Sequence, residues 1–280
     1  MGYARRILFI TRVKHLTNFY NYVLKNYKVL ELINPTYADV KSQLSNFDIL
    51  FCAPNHQTFV IDDELIKDSS VRYILSPSTG LNHINVDSIP IISIKNDDVI
   101  YDIWSTAEHT LYLILSIVRH IKPVRELHDK TLGIIGYGRL GQMVDALCSS
   151  VFKEVISVDK TKERYDELFE KCDVLSLHVD LNLTSYQMIN EKFLNKFKKN
   201  IYIVNTSRGE IVNEEDINSL LLSGRLLGYA TDVLQTEHNS KESIFKNNDK
   251  VIVTPHIAGV TLEAQERTYI RTLEKYENIK

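Results

Sequence analysis

Short runs of aliphatic and β-branched residues alternate along this chain with longer stretches whose apolar positions recur at helical spacing. In the first hundred residues the apolar runs are RRILFI (5–10), VLELI (29–33), ILFCA (49–53), VRYIL (71–75) and IISI (91–94). Strands that alternate with helices are typical of parallel sheets, because parallel neighbours need a crossover connection between them. The pattern therefore predicts an α/β fold.

The same alternation begins again after Lys130. Its apolar runs are TLGIIG, VISVD, VLSLHV, IYIVNTS, YATDV and VIVTP, and its helical patterns cover residues 139–148, 191–197 and 214–222. Two such sets in 280 residues predict two α/β domains. We expect one domain to comprise residues 1–101 plus 262–280 and the other to comprise residues 102–261.

Two further helical stretches are predicted, one between the two sets of strands and one after the second set. Residues 106–120 carry apolar side chains over most of the predicted helix surface, as expected for a helix buried between domains: Leu111, Leu113, Ile114, Leu115, Ile117 and Val118. Residues 261–278 are amphipathic and follow the last strand. This final helix can carry the chain back to the first domain.

Composition excludes several classes of protein. The hydrophobic fraction of 44% and the charged fraction of 25% are those of an ordinary globular protein, and a net charge of −3 without a basic block gives no indication of nucleic-acid binding. No apolar run has the length of a signal peptide core or a membrane span. Cys52, Cys148 and Cys172 are too few and too scattered for a disulfide framework or a zinc site. We expect a cytoplasmic protein without a metal.

A glycine-rich motif follows the first strand of the second set. Gly136-Tyr137-Gly138-Arg139-Leu140-Gly141 lies between the strand TLGII and a predicted helix, which is the context of a dinucleotide-binding GxGxxG turn. The helix that begins there presents free N–H groups to phosphates. Glycines needed only for packing would give the same spacing, so the motif alone leaves both interpretations open.

Asp159 favours the dinucleotide interpretation. It ends the next strand, VISVD, where a carboxylate can accept hydrogen bonds from an adenosine ribose diol. An acid at this position repels a 2′-phosphate, so the sequence predicts NAD rather than NADP as cofactor. A turn residue at the end of a strand is the alternative interpretation.

Several further segments occur in the order and spacing of a known enzyme family. They are STGLNHINV (78–86), AEHTLYLIL (107–115), TLGIIGYGRLG (131–141), CDVLSLHV (172–179), NTSRGEIV (205–212), YATDV (229–233) and TPHIAG (254–259). Through them the chain resembles the D-isomer-specific 2-hydroxyacid dehydrogenases. The resemblance implies two doubly wound parallel-sheet domains, a flavodoxin-like substrate domain and a Rossmann NAD-binding domain. It also implies hydride transfer between NAD(H) and a small 2-oxo or D-2-hydroxy acid.

Arg208 and His256 each follow a predicted strand, at the edge of a parallel sheet where α/β proteins bind their ligands. A guanidinium matches a carboxylate through two hydrogen bonds, and an imidazole can pass a proton at neutral pH. By resemblance, Arg208 binds the substrate's carboxylate and keto oxygen, His256 donates the proton, and Glu237 orients His256. From the residues alone, a surface ion pair for Arg208 and a structural role for His256 remain open.

The resemblance also implies the remaining site residues. The loop with Thr79, Gly80 and Leu81 would bind the substrate's carboxylate through backbone N–H groups. Cofactor contacts are implied for Gly136, Gly138, Arg139, Leu140, Gly141, Asp159, Val179, Ser185, Thr206 and Asp232. Asp232 in particular would accept a hydrogen bond from the nicotinamide carboxamide.

The family resemblance suggests a homodimer that involves the apolar helix 106–120, with a small 2-oxo or 2-hydroxy acid as the other partner. Two alternatives remain open. One is an NAD(H)-sensing binding protein of the same fold without significant turnover. The other is an enzyme that has lost activity, since Asp180 and Gln235 depart from the family's pattern.

Overall fold

The chain forms two compact α/β units in the computed structural model, which describes residues 5–54, 59–160, 164–235 and 243–279. One unit consists of Met1–Ile103 together with Val260–Lys280, and the other consists of Trp104–Gly259. The fold class predicted from the alternating pattern is confirmed, because in both units parallel strands alternate with helices.

In the first unit, the described strands form a five-stranded parallel sheet and a small parallel pair. The strands are β1 (Arg6–Phe9), β2 (Lys28–Glu31), β3 (Ile49–Phe51), β4 (Ile61–Asp62), β5 (Tyr73–Ser76), β6 (Ile84–Asn85) and β7 (Ile91–Ser93). The large sheet has the order β2-β1-β3-β5-β7, and β4 pairs with β6. This is the flavodoxin-like order. The helices are α1 (Thr17–Asn26), α2 (Tyr37–Gln43), α3 (Asp63–Ile66) and the last helix of the chain, α9 (Leu262–Glu277).

The second unit contains a six-stranded parallel sheet in its described residues. Its strands are β8 (Thr131–Ile135), β9 (Glu154–Val158), β10 (Val174–Leu177), β11 (Tyr202–Asn205), β12 (Gly228–Thr231) and β13 (Val251–Val253), in the order β13-β12-β11-β10-β8-β9. The helices are α4 (Ser105–His120), α5 (Arg139–Cys148), α6 (Tyr165–Lys171), α7 (Glu191–Leu194) and α8 (Glu214–Leu222). The chain reverses direction across the sheet between β8 and β10, which is where open α/β sheets bind ligands.

Local chemistry explains where the helices begin and end. The side chains of Asn190, Asn213 and Thr261 cap α7, α8 and α9 by accepting a backbone N–H from the first turn. The helix predicted over residues 191–197 ends earlier, at Leu194. The next residues form tighter i→i+3 bonds, such as the one from the N–H of Phe197 to the carbonyl of Leu194 at 3.2 Å.

Helix α4 packs its apolar residues mainly on the sheet of the second unit. Leu113, Ile114 and Ile117 are fully buried. Tyr112 and Leu115 are instead 55% and 42% exposed, so the helix is less evenly buried than its composition predicts. Residues three apart share a helix face, which makes this pair an exposed apolar patch.

Cys52, Cys148 and Cys172 are all buried, and none of them forms a disulfide. Within the described residues, no helix is both long and apolar enough to cross a membrane. No cluster of potential metal ligands occurs in the same part of the chain.

Candidate functional site

A cleft of about 690 Å³ opens in the second unit where the direction of the chain reverses. Its walls come from the loops that follow β8, β9 and β10. The lining residues are Ile135, Gly136, Tyr137, Gly138, Asp159, Lys160, Tyr165, Asp166, His178, Val179, Asp180, Asn182, Thr184, Ser185 and Met188. The volume lies in the range of cofactor sites, which is roughly 300–1,000 Å³.

The three glycines of the motif have different surroundings. Gly136 has φ +94°, and a Cβ there would lie 2.5 Å from the carbonyl oxygen of His178. A Cβ on Gly141 would lie 2.1 Å from the carbonyl oxygen of Gly136, so this glycine allows α5 to pack closely on the turn. A Cβ on Gly138 would meet no other atom within 4 Å, and Gly138 lines the cleft. The space beside Gly138 is therefore open to a ligand's phosphates.

The turn is also fixed by a side chain that the sequence analysis does not single out. The Tyr137 hydroxyl donates to Asp145 Oδ2 on α5 at 2.5 Å. That hydrogen bond, together with burial, raises the pKa of Tyr137 to about 12. Tyr137 consequently stays a neutral donor that ties the glycine turn to the helix behind it.

The predicted cofactor residues divide into two groups. Gly136, Gly138, Asp159, Val179 and Ser185 line the cleft. The predicted residues Arg139, Leu140, Gly141, Thr206 and Asp232 are not among its lining residues. Thr206 is 7% exposed, and its hydroxyl lies 2.8 Å from that of Thr110 on α4. The hydroxyl of Ser185 donates to the carbonyl of Asp180 at 2.6 Å and so fixes the loop after β10.

Arg208 lies on a turn that Asn205 holds in shape. The Asn205 side chain, at the end of β11, donates to the carbonyl of Arg208 at 2.9 Å and accepts from the N–H of Ser207 at 3.0 Å. The half-buried guanidinium of Arg208 donates to the carbonyl of Ser207 at 2.7 Å. The next residue, Gly209, is required by packing, because a Cβ there would lie 2.2 Å from the backbone of Leu234.

His256 lies on a strained turn after β13. Its φ of +53° is a left-handed conformation, which costs a residue with a side chain about 1–2 kcal/mol. Asp232 stabilises this conformation: its carbonyl accepts the N–H of His256 at 2.9 Å, and its carboxylate accepts the N–H groups of Ile257 and Ala258 at 2.9 and 2.8 Å. Asp232 is 1% exposed.

The Arg208 turn and the His256 turn emerge from the same edge of one sheet. Strand β12 lies between β11 and β13, and Asp232 follows β12 directly. The N–H of Asp232 donates to the carbonyl of Asn205 at 3.0 Å. Asp232 therefore contacts both the residue that shapes the Arg208 turn and the turn that carries His256.

Two groups of predicted residues lie elsewhere. Thr79, Gly80 and Leu81 belong to the first unit, in the loop between β5 and β6, where the Ser78 hydroxyl donates to the carbonyl of Gly80 at 2.8 Å. Glu237 lies outside the described residues. The chain leading to it is fixed as far as Gln235, whose side chain donates to the carbonyl of Val212 at 2.7 Å and whose N–H donates to Glu214 at 2.9 Å.

Further residues surround these groups that the sequence patterns do not indicate. His178, Asn182 and Thr184 line the cleft from the loop after β10. The signal that could have indicated them is their place in a loop that follows a strand of the parallel sheet. His109 contacts Thr254 and Asp232 across the unit. For His109 the only signal is its place in the segment AEHTLYLIL.

Comparison with known proteins agrees with this site. Residues 112–258 match the model of the D-isomer specific 2-hydroxyacid dehydrogenase, NAD binding domain. A hydroxypyruvate reductase from Thermotoga maritima is 33% identical over 246 residues, which cover 78% of this chain and 80% of that protein. A D-3-phosphoglycerate dehydrogenase from Bacillus subtilis is 27% identical over 84% of this chain, but this match spans only 50% of that longer protein.

The structures of known proteins give the same result. The D-lactate dehydrogenase of Aquifex aeolicus, solved with NAD and lactic acid, matches with a TM-score of 0.78 and 25% identity, over 98% of this chain and 95% of that one. The family model describes an NAD-binding domain, and the open space at Gly138 and the carboxylate of Asp159 fit that cofactor. The chain therefore belongs to the D-isomer-specific 2-hydroxyacid dehydrogenase family of NAD-dependent oxidoreductases.

Proposed function

We propose that this chain reduces a small 2-oxo acid to the D-2-hydroxy acid with NADH, and catalyses the reverse oxidation, through Arg208 and His256. The observation that carries the proposal is the position of their two turns, which leave the same edge of one sheet on either side of β12. Asp232, at the end of β12, is hydrogen-bonded to Asn205 before the Arg208 turn and to His256 itself. A cation for the substrate's carboxylate and a proton donor for its keto oxygen are the two groups that this reduction needs from the protein.

The cofactor would be held by the cleft of the second unit. Gly138 leaves room for the pyrophosphate, the first turn of α5 supplies N–H groups, and Asp159 would accept the ribose hydroxyls. When bound there, NADH supplies the hydride. An acid at position 159 also disfavours the 2′-phosphate of NADPH by charge repulsion.

Arg208 would bind the substrate's carboxylate. A guanidinium has five N–H donors, and among the described residues only one hydrogen bond of the Arg208 side chain, to Ser207, is present. Its remaining donors can therefore bind a carboxylate in the bidentate geometry that a lysine cannot provide. The backbone N–H groups of Thr79, Gly80 and Leu81 would add to this anion binding.

His256 would donate a proton to the keto oxygen as the hydride arrives at the keto carbon. General acid catalysis of this kind contributes roughly 10²–10⁴-fold to the rate. Glu237 would accept a hydrogen bond from the imidazole and keep it in the orientation needed for donation. In the oxidative direction the same imidazole accepts the proton.

Absorbance of NADH at 340 nm, followed with a panel of 2-oxo acids, tests the proposal. The panel contains glyoxylate, pyruvate, hydroxypyruvate, phenylpyruvate and 3-phosphohydroxypyruvate, and chiral chromatography identifies the product. We expect turnover on at least one acid and a D-configured product. Tight NADH binding without turnover on any of them would instead favour an NAD(H)-sensing protein.

We further propose a homodimer that uses the exposed patch of α4. Tyr112 and Leu115 lie on one helix face at 55% and 42% exposure, and burying large apolar side chains favours association. Sedimentation velocity should show a dimer for the native chain and a shift toward monomer for Leu115→Lys. A monomeric native chain at micromolar concentration would contradict this.

A reducing compartment such as the cytoplasm is proposed as the site of action. Its support is that Cys52, Cys148 and Cys172 are all buried and that none of them forms a disulfide. A chain adapted to an oxidising compartment would more often pair its cysteines. Fractionation of the cells that produce the protein tests this directly.

A further inference from the structure

A histidine on α4 reaches the turn that carries His256. His109 Nε2 lies 3.0 Å from Thr254 Oγ1 and 3.6 Å from Asp232 Oδ1, and the His109 side chain is only 15% exposed. The mechanism proposed above gives His109 no task. Yet it contacts Thr254, two residues before the proposed proton donor, and Asp232, which accepts the backbone N–H of that donor.

The direction of each hydrogen bond in this group can be worked out. The Thr254 hydroxyl donates its single proton to Asp232 Oδ1 at 2.5 Å. Toward His109, the Thr254 oxygen is therefore an acceptor. His109 must carry a proton on Nε2 and donate it to Thr254.

The protonation state of His109 agrees with this assignment. Burial lowers the pKa of His109, while the negative charge of Asp232 opposes the shift. Among the described residues, the one aromatic ring in contact with the His109 imidazole is that of Tyr112, with 5.5 Å between the ring centroids. At neutral pH the imidazole is accordingly uncharged, with a single N–H available, and that N–H points to Thr254.

The result is a directed chain of hydrogen bonds from α4 to the His256 turn. His109 donates to Thr254, Thr254 donates to Asp232, and Asp232 accepts the N–H groups of Ile257 and Ala258. Hydrogen bonds arranged in series polarise and so strengthen one another. Because α4 packs on β11, β12 and β13, its position is fixed by the core, and His109 connects the turn to that rigid element.

We propose that His109 is a positioning residue of the reaction: through Thr254 and Asp232 it keeps the strained His256 turn in the one conformation from which the imidazole donates its proton. This inference rests on the function proposed above. His109 does not line the cofactor cleft, so we expect its effect on the chemical step to exceed its effect on NADH binding.

Kinetics of His109 variants with the panel acid that the native chain reduces fastest provide the first test. We expect His109→Leu to lower kcat about tenfold, the loss that one neutral hydrogen bond supports, with the Kd of NADH changed less than twofold. His109→Gln should recover most of the rate, because its side-chain amide can still donate to Thr254. His120→Leu, at the exposed end of the same helix, is the matched control and should leave kcat unchanged.

A double-mutant cycle separates the chain of hydrogen bonds from a general packing effect. Thr254→Val removes the link between His109 and Asp232, so His109→Leu should cost little further in that background. Additive losses of kcat, or a His109→Gln variant as slow as His109→Leu, would overturn the inference. If His109→Leu does not fold, the kcat values of His109→Gln and Thr254→Val still test the inference. His109→Gln should keep most of the native kcat, whereas Thr254→Val should lower it.

Hydrogen exchange gives a readout that does not depend on turnover. The amide protons of Ile257 and Ala258 should exchange about tenfold faster in His109→Leu than in the native chain, and at the native rate in His109→Gln. Equal exchange in all three would refute the role of His109 even if the enzyme is active. If the native chain reduces none of the acids, that result contradicts the proposed function. Hydrogen exchange at Ile257 and Ala258 still tests the hydrogen bonds from His109 separately.

Discussion

Asp232 holds His256 in a left-handed backbone conformation by accepting its N–H and those of the next two residues. The three N···O distances, from His256, Ile257 and Ala258, are 2.9, 2.9 and 2.8 Å. A strained φ persists only where the surroundings determine it more strongly than the strain opposes it. Three hydrogen bonds to one nearly inaccessible aspartate meet that condition.

Replacing the carboxylate of Asp232 should loosen this turn. In Asp232→Asn one of the two oxygens becomes an NH₂ group, which cannot accept a backbone N–H. We expect the free energy of unfolding of the second unit to fall by about 2 kcal/mol, as for the loss of a hydrogen bond to a charged group, and kcat to fall at least about tenfold. Urea unfolding and NADH oxidation measure the two effects, with Asp249→Asn as an exposed control; unchanged kcat would mean that the turn does not depend on the carboxylate.

The glycine motif offers a pair of matched variants with opposite expected effects. In Gly138→Ala the new methyl group meets no protein atom within 4 Å, so the fold should keep its stability while the Kd of NADH rises at least about tenfold through contact with the pyrophosphate. In Gly141→Ala the methyl group would lie 2.1 Å from the carbonyl of Gly136. Overpacking of this kind costs about 1–3 kcal/mol. Thermal unfolding and NADH titration of both variants check these effects. A Gly138→Ala variant that binds NADH with the native Kd would show that the cofactor does not bind at this turn.

Asp159 should decide between NADH and NADPH. Asp159→Ser removes the negative charge from the cleft, so we expect kcat/KM with NADH to fall and kcat/KM with NADPH to rise, each by about tenfold, which corresponds to about 1.4 kcal/mol. Asp129→Ser lies at the opposite edge of the same sheet, before β8, and should leave the ratio unchanged. A ratio unaltered by Asp159→Ser would show that the carboxylate does not face the adenosine ribose.

Stability should depend on pH through His178. Burial lowers the pKa of His178 to about 4, and its Nδ1 is buried without a hydrogen-bond partner among the described residues. The unfolded chain binds a proton at this histidine below about pH 6.5. Between pH 6.5 and 4 the unfolded state therefore binds more protons than the folded state, and stability falls as the pH decreases.

Urea unfolding at two pH values checks this sign. At pH 5 the His178 contribution should make the chain about 2 kcal/mol less stable than at pH 7.5, and His178→Gln should lose that part of the dependence. Substitution of the exposed His120 by Gln serves as the control. If His178→Gln retains the full dependence on pH, other groups cause it.

The fold was predictable because its signals are local. A short apolar run such as ILFCA or VISVD, set between helical stretches, indicates a buried parallel strand, and the glycine motif specifies its turn within six residues. Arg208 and His256 could be singled out for a similar reason, since each lies three residues after the end of a strand. Position after a strand is readable from the sequence without knowledge of any distant contact.

The parts that the sequence did not reveal depend on contacts between distant residues. His109 and Thr254 are 145 positions apart, and no periodic pattern relates them. The same holds for Gln235, whose departure from the family's pattern is explained by its hydrogen bond to the carbonyl of Val212. A glutamate there could not donate this hydrogen bond, and it would lie close to the buried Glu214, whose carboxylate accepts the N–H of residue 235.

The roles of Arg208 and His256 are tested by the kinetics of Arg208→Lys and His256→Ala on the oxo acid that the native chain reduces fastest. His256→Ala should lower kcat by about 10²–10⁴-fold with the Kd of NADH nearly unchanged, because it removes only the proton donor. Arg208→Lys should raise KM and lower kcat together, because a lysine cannot bind the carboxylate through two parallel hydrogen bonds. Native kcat in His256→Ala would exclude His256 as the proton donor, and native KM and kcat in Arg208→Lys would exclude Arg208 as the carboxylate-binding residue.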